Sequence, residues 1–148
     1  MILISYLEIF MTCYIDPTSE QFLAFKKLPR DTPIMMLNLI QFQTSANYPD
    51  ENSITGVEAY RRYGEASALI FSRVGGRIIW RGRPENILIG PQDEQWDTAF
   101  IASYPSASAF LEMVTDPEYQ ASVFHRQAAV KTSRLIRFGE MSGSTAFA

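Results

Sequence analysis

Nine consecutive residues constrain this 148-residue chain most: Ile34-Met35-Met36-Leu37-Asn38-Leu39-Ile40-Gln41-Phe42. Successive side chains of a β-strand point to opposite faces, so a strand with one wet face alternates apolar and polar residues. Here the Ile34/Met36/Ile40/Phe42 set and the Met35/Leu37/Leu39 set are both hydrophobic, and Ile78, Ile79 and Trp80 repeat the pattern further on. Such a strand must be covered on both faces. Helices of the same domain can cover one face of an antiparallel sheet, and leaving the other bare would expose a large apolar patch. The economical solution is a twofold homodimer in which two sheets face each other as a barrel.

The flanking segments give the order of elements. Asp16-Pro17-Thr18 opens a first helix: Asp16 or Thr18 can cap it, Pro17 suits its first turn, and Thr18-x-x-Gln21 has capping-box form. Phe22, Phe25 and Leu28 form its apolar stripe, and Pro29 and Pro33 end it. Residues 43–54 are polar and read as a loop. Thr55-x-x-Glu58 is a second capping box, for a helix to about Val74 whose buried face is Val57, Tyr60, Tyr63, Gly64, Ile70, Phe71 and Val74. On its wet side Glu58 faces Arg62 and Arg61 faces Glu65. Gly75-Gly76 then ends the helix in left-handed geometry. Residues 77–82 and 86–89 read as short strands around Arg83-Pro84-Glu85, and residues 96–104 as another. Pro105-Ser106 begins a helix to about Val114, Asp116-Pro117 caps one from Glu118 to about Val130, and residues 133–138 form the final strand. Residues 139–148 read as a flexible tail. After the additional N-terminal helix the order is β-α-β-β-α-β. This is an α+β chain of ferredoxin-like type, an antiparallel sheet with helices on one face. We expect a single domain over residues 1–148 with its core at 34–138.

The first fifteen residues, MILISYLEIFMTCYI, are almost wholly apolar. No Lys or Arg precedes Lys26, as a secretory signal would require, and the run is shorter than the roughly 20 residues that span a bilayer. Met11 begins a natural start, MTCYIDPTSEQF, and residues 1–10 read as an upstream extension. We expect no membrane partner. A single cysteine, Cys13, excludes an internal disulfide framework and suits the cytoplasm. With one histidine beside it, no ordinary zinc site can be assembled, so no metal is expected. The net charge of −3 offers no basic footprint for nucleic acid. There is no G-x-S-x-G elbow, Walker loop or G-x-G-x-x-G.

Several residues can carry chemistry. On a helical wheel Arg126 shares the sheet-facing arc with Tyr119, Val123 and Val130. A buried guanidinium needs a partner, either a carboxylate such as Asp97 or Glu112 or a bound anion. The internal ion pair is the commoner arrangement. His125, about 100° around the helix, is the one side chain that ordinarily titrates near neutrality, hence the candidate acid/base or haem ligand. Lone helical histidines more often belong to a polar rim. Asn38 is the polar residue at the centre of the apolar strand and marks a polar pocket or a paired structural amide. Tyr60, Tyr63, Trp80 and Tyr104 carry polar tips that can line the same cavity, although aromatic stripes at helical spacing are more often core.

Gly75-Gly76-Arg77, the Arg81-Gly82 step, Gly90 after Ile87-Leu88-Ile89, Tyr104-Pro105-Ser106 before a helix, and Asp116-Pro117-Glu118-Tyr119-Gln120 with Arg126 after it resemble the domain-of-unknown-function 1330 family (DUF1330) over roughly residues 34–138. The N-terminal helix and the 43–54 loop are additions to that pattern. The resemblance implies the dimeric α+β barrel fold and no established activity. The expectation is a cytoplasmic homodimer of uncharacterised activity. Asn38, Tyr60, Tyr63, Trp80, Tyr104 and Arg126 would line a ligand pocket between sheet and helices, with His125 as the catalytic candidate. An enclosed cavity of a few hundred cubic ångströms would favour an enzyme. The alternatives are a non-enzymatic binding or assembly module, and a haem-degrading type of monooxygenase, to which Asn38, Trp80 (or Trp96) and His125 are similar in residue type. No cofactor other than haem suggests itself.

Overall fold

The computed structural model of the chain describes residues 13–143 and 146–147. The extension read over residues 1–10 lies outside them. Helix α1 (Ser19–Lys27) opens at a complete capping box: Thr18 Oγ1 accepts from the Gln21 N–H, and Gln21 Oε1 accepts from the Thr18 N–H. Pro17 therefore precedes the cap instead of occupying the first turn. Strand β1 (Ile34–Phe42) occupies the nine expected residues. Thr55 caps helix α2 (Gly56–Arg73) by accepting from the Glu58 N–H. Glu58 does not reach back, because its carboxylate pairs with Arg61, which also holds Glu65. Arg62 turns instead to Glu51 in the preceding loop, 3.0 Å away. The helix ends at Gly75, whose φ of +84° is one that L side chains rarely adopt.

Strands β2 (Arg77–Gly82) and β3 (Thr98–Tyr104) follow, then helices α3 (Ala107–Thr115), capped by Ser106, and α4 (Pro117–Ala129), capped by Asp116 with Pro117 in its first turn. Strand β4 (Val130–Phe138) begins directly after α4, earlier than the sequence suggested, because Val130 already pairs with Phe42. Residues 86–89 are not a strand. Pro84 lacks a ladder donor, no neighbouring strand takes the segment up, and Leu88 and Ile89 stand almost fully exposed in a loop. Trp96 and Asp97 belong to the same loop, so β3 starts at Thr98.

The sheet order is β2-β3-β1-β4, antiparallel throughout. This is the ferredoxin-like arrangement, α+β in class, and it puts the doubly apolar β1 at an interior position. The helices pack over the face bearing Ile34, Met36 and Ile40 and form two clusters. One joins Ile34, Met36, Ala102 and Tyr104 to Ile70, Val74, Met113 and Tyr119. The other joins Ile40 and Val130 to Ala46, Ala59, Ala128 and Ala129. Residues 43–54 close around the second cluster: Gln43 and Asn47 N–H groups donate to the Ala129 and Ala128 carbonyls, and Ser45 bridges Thr55. Gly56 is forced here, since a Cβ would collide with the Gln43 carbonyl. By register the opposite face carries Met35, Leu37 and Leu39, Ile101, Ile136 and Phe138. No helix covers it.

Candidate functional site

Between the two clusters lies the row Arg81–Phe100–Asn38–Leu135, one residue from each strand, all on the helix-side face. The helices arch over this row and leave a cleft of about 2560 Å³. It is open to solvent, not the small enclosed cavity expected. Its floor is Met36, Asn38, Phe100 and Leu135. One wall is Tyr60, Tyr63 and Phe71 from α2, another is Tyr119, Val123 and Arg126 from α4, and α1 contributes Phe22 and Phe25 at the rim. Val57 and Gly64, read as core, are exposed along this cleft.

Asn38 donates through Nδ2 to the Met36 carbonyl at 3.1 Å. Its Oδ1 makes no hydrogen bond among the described residues. The Tyr63 and Tyr119 hydroxyls share a hydrogen bond of 2.8 Å. Tyr60 packs between Phe42 and Tyr63, each ring centroid 5.3 Å away. Burial pushes the Tyr60 hydroxyl up to about 12, with the nearby Arg126 charge opposing the shift. Burial likewise raises Tyr63 and Tyr104. All three are proton donors at neutral pH. Tyr104 is the deepest, touching Met113 Sδ and edge-on to Phe71 and Phe110.

Arg126 does face the sheet, but it is not held by Asp97 or Glu112. It donates to the Ile15 carbonyl and to Ser133 Oγ, tying the segment before α1 to α4 and β4. Asp97 instead accepts from the Phe42 N–H at 2.8 Å.

Two expected members of the site stand elsewhere. A β-bulge between Ile78 and Trp80 pairs Trp80 with Ile101, on the sheet face away from the helices. The same bulge turns Arg81 into the cleft, a residue the sequence reading missed; no local signal marks the bulge. His125 points to the loop side of α4. Its Nδ1 lies 2.5 Å from Tyr48 Oη, and its ring stacks on Phe124 at 3.9 Å. Burial, then the Arg62 charge, hold its pKa below the ordinary 6.5, while Glu51 opposes them. Asn38, Trp80 and His125 thus occupy three separate environments. Trp96 does line the cleft, stacked on Arg134, but His125 does not accompany it. Among the described residues, no three His, Cys, Asp or Glu side chains assemble a metal site, and no helix is long and apolar enough to cross a membrane.

The arrangement is a field of hydrogen-bond donors over an apolar floor. It can hold and polarise an electron-rich group.

Comparison with curated proteins finds no match. Among solved structures, the chain is similar to RPA0582 of Rhodopseudomonas palustris, a protein of unknown function, at 52% identity with a TM-score of 0.84, over 89% of this chain and 100% of that one. The methylated form of RPA0582 superposes equally well, at 0.85. SnoaB of Streptomyces nogalater, a cofactor-independent oxygenase, shares the fold at 14% identity and a TM-score of 0.50, over 78% of this chain and 99% of that one. A family model matches residues 50–139, beginning later than the resemblance read from the sequence. With that match and the RPA0582 similarity, the chain belongs to the family described as Domain of unknown function (DUF1330).

Proposed function

We propose that the protein binds a small organic molecule in the cleft between sheet and helices, and that it does so as a homodimer joined through the opposite sheet face. The observation that carries the binding reading is the row at Asn38. A packed core would fill the centre of the helix-side face, whereas here polar groups from three elements surround an open volume between two well-packed clusters. Asn38, Tyr60, Tyr63 and Arg126 are its proposed ligand contacts, with Tyr104 supporting them from beneath. Haem has no place in this reading, since His125 is occupied by Tyr48 away from the cleft. Catalysis of the kind named for SnoaB would be a second function of the same cleft, with the tyrosine hydroxyls as its candidate acids. The dimer rests on the bare face, where Met35, Trp80, Ile136 and Phe138 are 42–53% exposed. A single cysteine fits the cytoplasm.

Amide chemical shifts test the binding reading. Titration with small aromatic compounds should move Asn38, Phe100 and Val123 together. Shifts confined to the opposite face, at Leu37 and Ile101, would contradict it.

A further inference from the structure

The bulge at Ile79 places Arg81 on the cleft side, opposite Phe100, and α4 brings Arg126 to the same cleft. Neither guanidinium has a carboxylate within ion-pair distance among the described residues. Three carboxylates also line the cleft, each hydrogen-bonded to another group: Asp97 to the Phe42 N–H, Asp16 to Gln127 and Glu65 to Arg61. Arg126 uses donors on Ile15 and Ser133, and a guanidinium offers five, so three remain. The Tyr60 hydroxyl feels both arginines and makes no hydrogen bond among the described residues.

Arg81 and Arg126, cations without an ion-pair partner among the described residues, thus line a largely apolar cleft at its Tyr60 end, where the Tyr60 hydroxyl feels both. Arg126 is partly buried, and a partly desolvated cation without an ion-pair partner is costly, a cost that falls when an anion arrives. Beside them the rings of Phe42, Tyr60, Tyr63 and Tyr119 succeed one another at 5.3–6.1 Å and build an aromatic wall.

We infer that this end of the cleft is a subsite for the carboxylate of a planar, apolar organic acid, held by Arg126 and Arg81 with Tyr60 as a third donor and its ring system against Phe100 and the tyrosine wall. This rests on the binding role proposed above and specifies its ligand class. Charge-assisted hydrogen bonds make the expected discrimination against a neutral isostere about tenfold or more.

Calorimetric titration of 2-naphthoate and 2-naphthamide into the full chain tests it. The carboxylate should bind at least about tenfold more tightly than the amide. Arg126→Gln and Arg81→Gln should each remove most of that difference while leaving 2-naphthamide unchanged, and Arg126→Lys should keep part of it. Arg126 also anchors the segment before α1, so Arg81→Gln, at an exposed position, carries the test if the Arg126 variants fold poorly. Equal affinity for the two probes, or discrimination that survives Arg81→Gln in full, overturns the carboxylate subsite and leaves the cleft reading intact. Failure of both probes to bind at millimolar concentration overturns the cleft reading, and the subsite with it.

Discussion

The two faces of the sheet begin from the same strand and are used differently. On the helix side, β1 contributes Ile34, Met36 and Ile40 to packed clusters and sets Asn38 between them, where the packing opens. On the other side, Met35, Leu37 and Leu39 lie with Ile101, Ile136 and Phe138 in a largely apolar field, joined by Ser103 and Arg134, that no described helix covers. The first face tolerates a gap because its clusters are complete without it. The second has no helix over it among the described residues, and on the proposed reading its burial comes from a second copy of the chain. On the proposed reading the two faces serve separate tasks, recognition of a ligand and assembly.

Substitutions can break this contrast. The largest effect is expected from Leu37→Glu, at the centre of the bare face. Burying an unpaired carboxylate between two sheets costs about 3–5 kcal/mol. The variant should sediment as a monomer, or lose its fold where the dimer is needed for stability, and sedimentation velocity with circular dichroism distinguishes the two. Unaltered assembly would mean the face is not buried. Ile70→Ala acts on the other side. Ile70 is 1% exposed in the cluster beneath α2, and the cavity left should cost about 2–5 kcal/mol in chemical denaturation. The assembly state should not change, because no residue of the bare face is touched.

Much of this contrast was legible in the sequence, and what was not has identifiable causes. Period-two reading gives β1 residue for residue, since both parities are strong, and capping residues locate the helix starts at Thr18, Thr55, Ser106 and Asp116. The same rule misplaces Trp80, because one extra residue at Ile79 inverts the parity after it and exchanges Trp80 for Arg81 at the cleft. The wheel orients Arg126 correctly but not its partners, Ile15 and Ser133, one of which is 111 residues distant. His125 is bound by Tyr48 from a loop whose path no local pattern specifies.

The smallest effect sharpens the comparison by marking a third region that belongs to neither face. His125 shares a hydrogen bond with the Tyr48 hydroxyl, and its folded pKa is lowered, chiefly by burial. The folded state therefore binds fewer protons than the unfolded chain as pH falls below the ordinary 6.5. The contribution is full above that pH and is lost as pH falls through the folded value. His125→Gln should flatten this part of the stability–pH curve, and Tyr48→Phe should cost about 1 kcal/mol at neutral pH. Neither should alter 2-naphthoate affinity or assembly. A loss of ligand binding in His125→Gln would reinstate His125 as part of the cleft.

The central claim is that the bare sheet face seats a second copy of the chain. A buried area of about 800 Å² per partner at roughly 25 cal/mol/Å² far exceeds the several-kcal/mol cost of association, so the complex should persist at low concentration. Light scattering on the unmodified protein at micromolar concentration measures this directly. The account predicts twice the 16.8 kDa mass of one chain; a uniform mass of 16.8 kDa would contradict it.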